Sequence, residues 1–191
     1  MFDLTETAPP AALPIDASTL ALHLRLGEGF GAPTEETQLL ETYIRGATAH
    51  VERRTGLALV TRSLVLRTTA WSRAGHLALP IGPVAAIASF EITDGATPVA
   101  LEAGDYVLEP GTQGQRLTGP ACGALPAIPG GQRAEIAFDA GFGTAADVPA
   151  DLVEAVMLLA AHFYEDRTGA TPPGLPPAVA ALVRPHHTVR I

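Results

Sequence analysis

The stretch ATAHVERRTGLALVTRSLVLR, residues 47–67, changes its period halfway along. Up to Thr55 the apolar side chains recur at helical spacing: Leu40, Ile44, Ala47 and Val51 form one stripe, which Leu39 and Tyr43 widen. From LVTRSLVLRTT, residues 59–69, the pattern becomes the β-branched alternation of a strand. The stop between them is helix-termination chemistry. Arg53 and Arg54 sit in the last turn, where the helix dipole favours positive charge, and Gly56 can take the left-handed conformation that ends a helix.

Upstream, this helix is expected over 35–55, with Thr34 as N-cap after Pro33, Glu35 and Glu36 in the first turn, and Glu41–Arg45 as an i,i+4 pair on the opposite face. A shorter helix is expected at 18–26, capped by Asp16 or Ser18 and carrying Leu20, Leu22, Leu24 and Leu26. GEGFGAP, residues 27–33, separates the two. Residues 1–15, rich in Pro, Ala and Thr, read as an extended N-terminal arm.

Downstream, residues 59–139 hold short strands punctuated by glycine and proline. HLALPIGPVAAIASFEI (76–92) gives two strands around Pro80–Pro83, TDGATP (93–98) is a turn, and DYVLEP, QRLTG and RAEIAFDAGFG supply further strands. The stretch 118–132 is the most loop-like. Helical pattern returns over 150–167, where Leu152, Val153, Val156, Met157, Leu159, Ala160, Phe163 and Tyr164 fill an arc of roughly half the circumference. GATPPGLPP is a linker, a last short helix is expected at 176–184, and 185–191 forms a tail. The fold class is therefore α+β: one domain, 1–191, in which helices from 16–56 and 149–184 pack as a small bundle, with the small antiparallel β region (about 59–139) projecting as an insertion.

Bulk properties narrow the function. The chain has 191 residues and a net charge of −8, and all twelve basic residues are arginine. The pI near 5.1 argues against a general nucleic-acid binder, whose footprint would be basic. Cys122 is the only cysteine, so no disulfide within the chain and no thiolate zinc site can form. The first residues lack the basic region of a secretory signal, and no apolar run approaches the ~20 residues of a membrane span, so a soluble protein made in the cytoplasm is expected.

Catalytic constellations are hard to find. His162 and Asp166 are spaced i,i+4, but the metalloprotease pattern needs two histidines with a glutamate after the first. His186–His187 lies on a polar tail, and Glu102, Asp105 and Glu109 have no conspicuous partner. No phosphate-binding loop, GxSxG elbow or dinucleotide fingerprint is present. No catalytic, cofactor-binding or metal-binding residue is expected.

The order of segments carries a resemblance. LALHLRL is followed by ETQLLETYIRGATAHVERRTGLALVTRSLVLR, LALPIGPVAAIASFEITDGATPVALEAGDYVLE, AEIAFDAGFG, VPADLVEAVMLLAAHFYEDR and LPPAVAALVRPHH. Over about 18–186 this series resembles the head–tail connector (adaptor) proteins of tailed bacteriophages, closely so the versions carried by gene transfer agents and related prophages. The resemblance implies a ring of twelve copies between the portal and the stopper or tail-completion protein at the head–tail joint. DNA would pass through it without sequence-specific binding, with no membrane and no cofactor. Interface residues implied in such a ring are Arg53, Arg54, Val153, Met157, Tyr164, Arg184, His186, His187, Arg190 and Ile191. At His186 and His187 the chain departs from the family, which often has an aromatic after the proline. Two roles stay open for the arginine pair: both cap and solubilise the helix end, or one caps while the other meets a carboxylate of an adjacent subunit. The rival reading is a non-viral ligand-binding or hydrolytic α+β domain, with His76, Asp105 or Glu109 as polar anchors in the β-rich middle.

Overall fold

The computed structural model describes residues 2–27, 33–111, 114–166 and 174–186. The chain forms two compact units, an α+β arrangement with antiparallel sheets. Among the described residues one unit takes those up to Ala11 and Thr61–Phe142; the other takes Ala12–Val60 and the chain from Gly143 to His186.

The first unit is built from strands β1 (Phe2–Glu6), β2 (Arg62–Thr68), β3 (Leu77–Ala78), β4 (Val84–Thr93), β5 (Val99–Ala100), β6 (Val107–Gly111), β7 (Gly114–Thr118) and β8 (Arg133–Ala140). They make a five-stranded sheet in the order β1-β2-β8-β4-β5 and a three-stranded sheet in the order β3-β7-β6. Strict alternation puts Ala134, Ile136, Phe138 and Ala140 of β8 inward, all fully buried. Leu64 of β2 and Ile87 of β4 flank Phe138; Leu66 and Phe90 flank Ile136. On the outward face Arg67 grips Glu135 across the same ladder with two hydrogen bonds of 2.9 Å. The Gln115 side chain accepts from the Val84 N–H and donates to the Val84 carbonyl, so a β7 amide substitutes for strand backbone at the start of β4.

The sequence led to one small β region; the described residues form two sheets. Within the N-terminal arm, Phe2–Glu6 is a paired strand, opposite Thr68–Leu64. The cause is non-local. β2 has a free edge once β8 takes its other side, and the arm supplies the missing backbone partners.

The second unit holds α1 (Ala17–His23), α2 (Pro33–Thr55), α3 (Ala150–Glu165) and α4 (Pro177–Val183), followed by a 3-10 turn at Arg184–His186. Asp16 caps α1, accepting from the Thr19 N–H at 2.7 Å, and these bonds to its charged form hold its carboxyl below the usual carboxylate range. That helix ends at His23, short of the expected 26, because Arg25 takes a positive φ of 56°. The α2 helix starts at Pro33, so Thr34 lies inside it and not at its cap. Its stop is as read: Gly56 has φ 74°, and its N–H donates to the Glu52 carbonyl at 2.8 Å. Buried Glu52 then accepts from the Leu59 N–H at 2.9 Å, tying the helix end to the chain that leaves it.

The core of this unit is narrower than the sequence pattern. Leu40, Ile44, Ala47 and Val51 of α2 are buried, but Leu39 is 41 % exposed. On α3 the buried set is Leu152, Ala155, Val156, Leu159, Ala160 and Ala161; Val153, Met157, Phe163 and Tyr164 are only half-buried. Tyr164 meets Tyr43 edge-on at 5.9 Å, and Phe163 faces His50 across the α2–α3 contact at 6.5 Å. Among the described residues no helix is long and apolar enough to cross a membrane.

Candidate functional site

Two features of the helical unit stand out. The first is a stripe on α3. At 100° per residue, Val153, Met157 and Tyr164 fall within roughly 40° of one another, beside the buried stripe. All three keep part of their surface in solvent.

The second is a cleft of about 540 Å³ where the C-terminal part of α2 adjoins α4. His50 and Arg54 line it from α2; Ala180 and Val183 line it from α4, with Arg184 just beyond and Leu175 before it. The arrangement follows from helix geometry: His50 and Arg54 are four apart on α2, as Ala180 and Arg184 are across the end of α4, so each pair shares a face. Arg54 and Arg184 are exposed, and among the described residues neither has a salt-bridge partner. The floor is apolar and the rim cationic, a combination suited to a carboxylate with an apolar neighbour.

Of the residues singled out from sequence, the structure therefore brings Arg54 and Arg184 together and sets Val153, Met157 and Tyr164 along one line. Arg53 is exposed and does not line the cleft. His186 lies elsewhere: its Nε2–H donates to Asp151 Oδ2 at 2.6 Å, at the start of α3. His187, Arg190 and Ile191 fall outside the described residues. Sequence reading missed His50 and Asp151. The i,i+4 spacing of His50 and Arg54 was visible, but nothing local says that α4 adjoins that face.

The His186–Asp151 bond yields a pH prediction. The hydrogen bond from His186 holds the Asp151 carboxyl below its ordinary value of 3.8. A depressed folded value means that the stabilisation is fully present above the unfolded pKa and is lost as pH falls through the folded one. Acid unfolding followed by circular dichroism should therefore show wild type losing more stability below about pH 4 than His186→Ala, the two curves converging at the acid end.

Two of the three side chains that would serve a catalytic middle, Asp105 and Glu109, are engaged in structural bonds. Asp105 accepts from the Glu102 N–H at 2.9 Å. His76 closes a turn with Ser72 through its backbone. Glu109 takes Arg116 at 3.2 Å and the Cys122 thiol at 3.3 Å; that bond keeps the thiol protonated, raising its pKa above the ordinary 9.0. Among the described residues no group of three or more His, Cys, Asp or Glu side chains could hold a metal ion.

No family model matches the chain, and no curated protein does. Solved structures do. A chain from the neck of an empty GTA particle computed with C6 symmetry is 36% identical, with TM-score 0.86 over 99% of this chain and 97% of that one. A chain from the virion of a native gene transfer agent (GTA) particle is 37% identical, with TM-score 0.83 over 98% and 96%. A chain from the neck of a native GTA particle computed with C12 symmetry is 34% identical, with TM-score 0.81 over 99% and 97%. Identity at this level over nearly the whole of both chains goes beyond shared fold, and the chain belongs to the tailed-phage head–tail connector (adaptor) family, close to the adaptors of gene transfer agents.

Proposed function

We propose that this chain is a structural, non-catalytic adaptor that forms a ring of twelve copies at the head–tail joint of a phage or gene-transfer-agent particle. It sits between the portal and the stopper or tail-completion protein and serves as a conduit for DNA. The observation that carries this reading is the near-full-length likeness to chains from particle necks computed with sixfold and twelvefold symmetry. The half-buried stripe on α3 supports it, since an apolar face left partly open in a single copy is what a neighbouring copy would cover. Charge supports the conduit. With a net charge of −8 the ring repels phosphates on average, so DNA would slide through and not be held. No observation favours the ligand-binding or hydrolytic alternative: two of its polar anchors are already engaged, Asp105 in the turn with Glu102 and Glu109 with Arg116.

The test is deletion of the gene followed by electron microscopy of the particles. Separate DNA-filled heads and free tails are expected; tailed particles that still deliver DNA would overturn the adaptor role.

A further inference from the structure

We propose that the Arg54–Arg184 cleft is the receiving half of the contact between adjacent copies, and that its occupant is the N-terminal end of α2 from the next copy. This rests on the ring reading above and names the partner of a site within it.

The two ends of α2 carry opposite charges. Its first turn carries Glu35 and Glu36, and Leu39 follows one turn later, exposed at 41 %. Among the described residues neither glutamate has a salt-bridge partner. Its last turn carries Arg54, which with Arg184 and His50 rims the cleft over the apolar Leu175, Ala180 and Val183. One end of the helix thus presents two carboxylates and a leucine; the other presents two guanidiniums and an apolar floor. The ends are complementary in charge and in hydropathy. They cannot meet within one copy, because Glu36 and Arg54 are eighteen residues apart on one continuous helix, about 27 Å at 1.5 Å per residue. Two different patches that fit each other make a head-to-tail contact, and such contacts close into rings when the rotation allows. The cleft's concavity and apolar floor favour a peptide segment over a phosphate backbone, which would need only a charged rim.

Charge exchange tests this in assembled particles. The variant R54E/R184E and the variant E35R/E36R, each produced as the full chain in the particle-forming strain lacking the native gene, should each reduce tailed particles to the level of the deletion. Co-expression of the two should restore them, because every contact in an alternating ring then pairs opposite charges. Either variant assembling like wild type would overturn the contact, as would failure of co-expression to restore assembly when both variants melt like wild type. A disulfide version decides the matter if a charge variant does not fold. In C122S, which removes the native thiol, E36C together with R54C should give a ladder of cross-linked copies from oxidised particles. The 27 Å separation is far beyond the ~7 Å reach of a disulfide, so no bond can form within one copy. Absence of the ladder would overturn the proposal. Tailless heads in the deletion strain, combined with full assembly of both charge variants, would reject this contact and leave the adaptor role standing.

Discussion

Replacing Phe138 with alanine is expected to destabilise the sheet unit by about 3–5 kcal/mol, the range for truncating a fully buried aromatic side chain. The cost arises from position. β8 is the central strand of the five-stranded sheet, Phe138 is fully buried, and both cross-strand neighbours, Leu64 and Ile87, lose their partner at once. The rigid ladder on either side limits collapse into the void, which favours the upper part of that range. A protein whose whole stability is about 5–15 kcal/mol has little margin for such a loss. The single tryptophan reports on this unit, because Trp71 packs edge-on against Phe90 at 5.9 Å, and Phe90 pairs with Ile136 on the same ladder. Urea unfolding followed by Trp71 fluorescence should show the midpoint falling steeply at unchanged slope. A midpoint within error of wild type would mean that β8 does not hold the sheet.

Met157→Asp is expected to do the opposite: leave the single copy nearly intact and abolish assembly. Met157 lies on the half-buried stripe of α3, so a carboxylate there keeps access to water in the free chain and the melting temperature should fall by only a few degrees, about 2–4 °C per kcal/mol for a chain of this size. In the proposed ring the same position is covered by a neighbour. Each interface then loses about 1.5–3 kcal/mol of apolar burial and must in addition desolvate an unpaired charge. At about tenfold per 1.4 kcal/mol and repeated around the ring, that is at least a ~100-fold loss of DNA-delivering particles. Normal particle yield from a strain carrying Met157→Asp would exclude this stripe from the interface. A collapse of the melting temperature would instead make Met157 a core residue of the single chain.

The elements that were legible share one property: the information for each lies within a few neighbouring residues. The stop at Thr55–Gly56, the dipole-matched charges of α2, the turn at TDGATP and the alternation of RAEIAFDA are all local, and the structure contains them within a few residues of where the pattern places them. The width of the apolar faces was less legible. Leu39 and Val153 fit the helical stripe as well as Leu40 and Val156 do, yet the first is exposed and the second half-buried. Periodicity says which side of a helix is apolar, but not how far the packing partner extends around it.

The candidate site divides along the same line. Sequence by itself determined the α+β class, the order of the helices, the longer strands β2, β4 and β8, the arginines at the end of α2 and the carboxylates at its start, because helix and strand periods and capping act over a few residues. Tertiary structure alone decided that the N-terminal arm is an edge strand on β2, that the β region is two sheets, and that Arg54 and Arg184, 130 positions apart, rim one cleft. The physical reason is that these pairings are set by which backbone edges and apolar faces remain unsatisfied once the local elements exist, and that competition is settled only when the whole chain packs.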